Sequence, residues 1–91
     1  MEERATYRVP GDEAYVRAEN LLPYPAWVPP DASQVRAAMA KAGLEPRTLG
    51  EFVGVSRKEV NRWTLGQAEI PYACWVMLCQ RAGLGYLGSW D

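Results

Sequence analysis

Histidine is absent from the 91 residues, and with it go the usual general base of serine and cysteine hydrolases and the commonest side-chain metal ligand. Only two cysteines occur, Cys74 and Cys79. They are too few for a disulfide framework, and a spacing of five on a helix turns two side chains roughly 140° apart, so they read as packed, reduced thiols. Two thiols without histidine cannot complete a four-ligand zinc site within one chain, so neither a metal nor a cofactor is expected. No apolar run approaches the length of about 18 residues that a membrane span needs. Residues 1–8, MEERATYR, lack the apolar stretch of a signal peptide, and a cytoplasmic protein is the expectation. Net charge is nearly missing too: ten Lys and Arg stand against eleven Asp and Glu, for a formal −1. That total alone gives no reason to expect nucleic acid. No acid, base and nucleophile converge in any pattern that suggests an enzyme.

What is present is the composition of a folded chain, 48 % hydrophobic, 23 % charged and 11 % aromatic. A chain of this size buries about 60 to 65 % of its unfolded surface, which limits it to one compact core. Five of the seven prolines, Pro10, Pro23, Pro25, Pro29 and Pro30, fall in residues 1–30, and each disfavours helix at the residue before it. This stretch reads as an acidic, Pro-rich arm with at most one short helix over residues 12–22, where Ala14, Ala18, Leu21 and Leu22 follow helical spacing. Tyr24, Trp27 and Val28 lie among the prolines. They either pin an extended segment to the core or form a polyproline segment for a protein partner.

Residues 31–91 carry sharper signals. Asp31 with Gln34 forms an N-terminal capping pair, Val35, Ala38, Met39 and Ala42 make one apolar stripe, and Gly43 is a stop, which predicts a helix over residues 31–42. Pro46 suits the first position of a short second helix with Leu49, Phe52 and Val53 as its buried face and Gly54 as its end. Ser56 and Glu59 form an S-x-x-E capping box, behind which Val60 and Trp63 are buried before Leu65 and Gly66 close the third helix. Pro71 opens a fourth that runs to Ala82 and stops at Gly83. Ala73, Cys74, Met77 and Leu78 make one of its faces, and Trp75, Val76 and Cys79 make a second apolar surface. A helix apolar on two sides needs two neighbours, the core and either the arm or a second subunit. The expected architecture is all-α, a compact four- to five-helix bundle with a Pro-rich N-terminal arm.

Two short helices joined by a three-residue turn containing glycine are the layout of a helix-turn-helix. Gly50 allows close approach of the two helices, Gly54 the left-handed turn, Val55 plugs the corner, and Val60 with Trp63 locks the second helix to the core. Over LGEFVGVSRKEVNRWTLGQAEIP the chain resembles the DNA-binding domain of the Cro and lambda-repressor superfamily, the XRE-type helix-turn-helix, and the resemblance extends across residues 31–84. It implies that the helix starting at Ser56 enters the major groove. Pro46 stands where members of that family often have a polar residue that touches phosphate, which leaves the contact to Arg47 or Thr48. Thr64 stands where they often have glutamate.

The outward residues of the third helix suit the task. Arg57 and Asn61 are four apart, as are Lys58 and Arg62, and all four lie away from Val60 and Trp63. Arginine and lysine donate to guanine O6 and N7, and asparagine pairs with adenine, so Arg57, Lys58, Asn61 and Arg62 are the candidate base contacts. Arg47, Thr48 and Ser56 are the candidate phosphate contacts. Trp75, Val76, Cys79, Tyr86 and Trp90 are the candidate dimer interface. The near-neutral total splits into a net −3 over residues 1–35 and a net +3 over residues 36–90, with Asp91 completing it. G-x-G-x-x-G at residues 83–88 follows a helix with no room for a βαβ unit, and reads as a helix stop and turn. The expectation is a sequence-specific transcriptional regulator, a repressor of phage, plasmid or mobile-element type, binding a pseudo-palindromic DNA operator as a homodimer. The alternative is a protein-binding module on the same fold, such as an antitoxin, an inhibitor of a host defence complex or an adaptor, with the arm meeting a protein partner.

Overall fold

A computed structural model describes residues 6–8 and 15–84. Four helices make the bundle: α1 (Ala32–Ala42), α2 (Pro46–Val53), α3 (Arg57–Thr64) and α4 (Tyr72–Ala82). Their ends sit where local chemistry puts them. Asp31 Oδ1 accepts from the Gln34 amide at 2.9 Å and Gln34 Oε1 accepts from the Asp31 amide at 2.8 Å, so two orphan donors are satisfied reciprocally. α1, α2 and α4 all stop at a glycine in the left-handed region. The start of α3 is only half as expected. Ser56 Oγ accepts from the Glu59 amide at 3.1 Å, but the Glu59 carboxylate accepts from Trp63 Nε1 at 3.0 Å instead of returning to the cap. A buried indole N–H has no water to turn to, so it claims the nearest acceptor.

α1 packs against α4 and α3, and α2 against α3, around a core that includes Val35, Leu49, Val60, Trp63, Ile70 and Leu78. The facing of two helices differs from the pattern reading. α4 buries Trp75, Leu78, Cys79 and Ala82, while Ala73 is exposed and Met77 keeps 37 % of its surface. Phe52 of α2 is 39 % exposed rather than buried, and the Arg81 guanidinium lies 5.7 Å from its ring centroid. That stacking gives the ring a cationic cover in place of a core contact.

The arm holds no α-helix over the described part of residues 12–22. Tyr15–Arg17 (β2) pairs antiparallel with Thr6–Arg8 (β1), Val16 standing opposite Tyr7, and a 3-10 turn follows at Ala18–Leu21. The aromatic and β-branched pair Tyr15 and Val16 favours extended backbone, and it sends Val16 into the helical core together with Leu21. Asn20 ties the arm down. Its carbonyl oxygen accepts from Trp27 Nε1 at 3.0 Å and from Trp75 Nε1 at 2.6 Å, and its Nδ2 donates to the Val28 carbonyl at 2.6 Å. The second neighbour of α4 is therefore the arm of the same chain.

Cys79 of α4 has no accessible surface, and burial pushes its thiol up from 9.0 to about 12. The folded state holds this proton more tightly than the unfolded state, so the contribution is complete below pH 9 and is lost as pH rises towards 12. At about 1.4 kcal/mol per unit it amounts to about 4 kcal/mol. Urea midpoints measured against pH should fall more steeply above pH 9 for the parent chain than for Cys79→Ala, whose other titrating groups are the same. Parallel curves would show that this thiol does not couple to folding.

Candidate nucleic-acid interface

α2 and α3 are joined by Gly54, Val55 and Ser56, and the turn presses directly on α2. The Gly54 and Val55 amides donate to the Gly50 carbonyl at 2.8 and 2.9 Å. A Cβ at Gly50 would stand 2.6 Å from the Val55 carbonyl oxygen, closer than any real contact, and the obstructing atom is backbone. Gly50→Ala must therefore open the angle between the two helices. We expect a loss of about 1 to 3 kcal/mol, read as a fall of roughly 4 to 8 °C in Tm per kcal/mol. An unchanged melting curve would show that the helix pair is looser than this geometry.

α3 turns Val60 and Trp63 inward, both essentially inaccessible, and its other side outward. Arg57 and Lys58 are exposed in the first turn and form no hydrogen bond or ion pair with the described residues. Asn61 is half-buried one turn on. Arg62 is exposed and pairs with Glu59 at 3.3 Å, an interaction of a kind worth little in water and readily exchanged for another acceptor. The structure thus brings all four candidate base contacts onto one accessible face.

The phosphate candidates are less uniform. Ser56 Oγ uses a lone pair on the Glu59 amide, which leaves its hydroxyl hydrogen for an anion at the N-terminal end of α3, where the helix dipole favours negative charge. Arg47 is exposed and paired with Glu51 at 2.9 Å. Thr48 is engaged twice, its Oγ1 accepting from the Glu45 amide at 2.9 Å and donating to the Glu45 carbonyl at 3.1 Å. Its hydroxyl caps α2 and has no proton left over.

The expected dimer surface is corrected in part. Trp75 and Cys79 have no accessible surface, Trp75 beneath the arm that accepts its indole N–H, so they cannot meet a second copy. Val76 is half-buried. Tyr86 and Trp90 lie outside the described residues. Sequence reasoning missed two residues that hold distant parts of the chain together, one of them at the end of α3. Arg36 of α1 donates to the Thr64 carbonyl at 2.6 Å across 28 residues, satisfying an orphan acceptor at the end of α3 and placing a cation at the negative end of its dipole. Asn20, described above, is the other. No local signal marks either, since the partner is distant in the chain. Among the described residues there is no group of three or more potential metal ligands, and no helix is long and apolar enough to cross a membrane.

Comparison with known proteins agrees with a regulatory reading. The chain is 34 % identical over 79 residues to a transcriptional repressor protein KorC of Escherichia coli, covering 84 % of this chain and 93 % of that protein. A second KorC of Escherichia coli is 36 % identical over 73 residues, covering 77 % of this chain and 86 % of its own length. No protein-family model and no solved structure matches the chain.

Proposed function

Because the chain belongs to the family of the transcriptional repressor KorC, we propose that it is a sequence-specific repressor that binds a pseudo-palindromic DNA operator as a homodimer. The observation that carries this reading is the pair of cations, Arg57 and Lys58, that have no hydrogen bond or ion pair among the described residues and lie in the exposed first turn of a helix that Gly50 locks against α2. In this reading α3 lies in the major groove. Arg57, Lys58 and Arg62 donate to guanine edges, and Asn61 meets an adenine. Ser56 and Arg47 hold the flanking phosphates, and Thr48 contributes by fixing the start of α2.

A second copy has surface available at half-buried Val76, at exposed Met77 beside it, and at exposed Phe52. Tyr86 and Trp90 remain candidates for the same role. A twofold dimer places its recognition helices about 34 Å apart, one turn of DNA, and requires an operator with two inverted half-sites.

Selection of bound sites from random DNA at fixed salt tests the reading. An enriched inverted repeat is expected, bound with an affinity that falls roughly 10³- to 10⁵-fold between about 50 and 200 mM salt if the dimer neutralises about six to ten phosphates. Failure to enrich any sequence would sink sequence-specific binding. A monomer in sedimentation at high concentration, without cooperative binding, would sink the dimer.

A further inference from the structure

We propose that the cleft between the arm and the α3–α4 linker binds an extended, basic, proline-containing segment of a protein partner. The cleft has a volume of about 440 Å³ and is walled by Tyr24, Pro25 and Trp27 of the arm and by Glu69, Pro71 and Tyr72 of the linker and α4. Folding leaves Tyr24 64 % exposed, although it sits in an ordered turn whose Trp27 amide donates to the Tyr24 carbonyl at 3.1 Å. An aromatic ring held in water on a rigid platform is available surface that needs no further ordering to bind.

The three rings form one cluster. Trp27 and Tyr72 meet edge to face at 4.9 Å between centroids and Tyr24 and Tyr72 at 5.4 Å. The cluster is fixed from behind by the bond from Trp27 Nε1 to the Asn20 carbonyl and by that from the Tyr72 hydroxyl to the Leu22 carbonyl. Grooves walled by aromatic rings and proline suit a polyproline II segment, because such a segment is itself already extended and loses little entropy on docking.

Charge selects the flanking residue of that segment. Glu69 is the one charged side chain among those lining the cleft; it is exposed and forms no ion pair with the described residues. A carboxylate beside aromatic faces attracts a guanidinium or an ammonium from two directions, by Coulomb attraction and by the ring quadrupole. The same carboxylate repels a phosphate backbone, which argues against nucleic acid at this surface. The cleft is assembled from elements other than the exposed face of α3, so the proposal does not rest on the operator reading.

Titration of the full chain with acetyl-PPRPP-amide and acetyl-PPEPP-amide tests it, read by NMR at the Trp27 indole N–H and the Tyr72 ring. The arginine peptide should shift both signals saturably, and the glutamate peptide should bind at least ~10-fold more weakly. Glu69→Gln and Tyr24→Ala, both at exposed positions, should each weaken the arginine peptide roughly 3- to 10-fold while circular dichroism and operator affinity stay unchanged. The proposal is overturned by equal binding of the two peptides, by indifference to Glu69→Gln, or by no shift at about 10 mM peptide. Saturable shifts produced by oligothymidylate and undiminished in the parent chain relative to Glu69→Gln would assign the cleft to bases, and overturn it as well.

Discussion

The double variant Arg57→Ala with Arg62→Ala is expected to lose specific operator binding and to keep its fold. Each bidentate base contact discriminates by about 1 to 3 kcal/mol, and a twofold dimer would lose two such contacts in each half-site. Even with strong non-additivity, that reduces specific binding to the level of random DNA. The cost to folding is small because neither side chain is structural. Arg57 has no partner among the described residues, and Arg62 gives up only the exposed pair with Glu59, worth about 0 to 1 kcal/mol. Fluorescence anisotropy on the selected operator at fixed salt, beside a thermal melt, separates the two effects. Affinity within about threefold of the parent, with the melt unchanged, would remove α3 from the interface.

Removing residues 1–28 should have the largest effect on stability. The deletion takes Val16 and Leu21 out of the core and removes the Asn20 carbonyl that accepts from the Trp75 indole. It also uncovers Trp75, which has no accessible surface in the intact chain. Losing two buried aliphatic side chains costs about 1.5 to 3 kcal/mol each, before the exposure of a tryptophan is counted. A chain of this length has roughly 5 to 14 kcal/mol in total. The truncated protein should therefore lose its near-ultraviolet circular dichroism at 25 °C or self-associate through the bared face of α4. If it stays monodisperse with an unchanged Tm, the arm is not part of the folded unit, and the junction around Asn20 contributes nothing measurable.

The two variants probe parts of the molecule that were legible to different degrees. The boundaries of α1, α2 and α4 follow from chemistry within three or four residues of each end: Asp31 with Gln34, Pro46, and the glycines at 43, 54 and 83. The need for glycine at 50 was readable for the same reason, since the turn that obstructs a Cβ begins only four residues later. The outward set on α3 was readable because two inward anchors, Val60 and Trp63, orient an eight-residue helix. Other features escaped because each depends on a choice between partners. Glu59 was expected to close a capping box, but the buried indole of Trp63 is an equally near donor with a stronger need. The stretch around Val16 has helical spacing on paper, and the strand wins because Val16 fits a site in the core. Phe52 lies on the apolar stripe of α2 yet stays in solvent under Arg81.

By itself, then, the sequence determined the four helices, the Asp31–Gln34 cap and the glycine stops, the tight turn between α2 and α3 and the cations on the outer face of α3, because these depend on groups a few bonds apart. It also held the resolution of its own near-zero charge, a net −3 over residues 1–35 against a net +3 over residues 36–90. The tertiary structure alone decided what covers the second apolar side of α4. Both the arm and a second subunit satisfy the hydrophobic pattern equally, since burial is non-directional. The choice rests on a directional bond: the Trp75 indole finds its acceptor at the Asn20 carbonyl, 55 residues away in the chain.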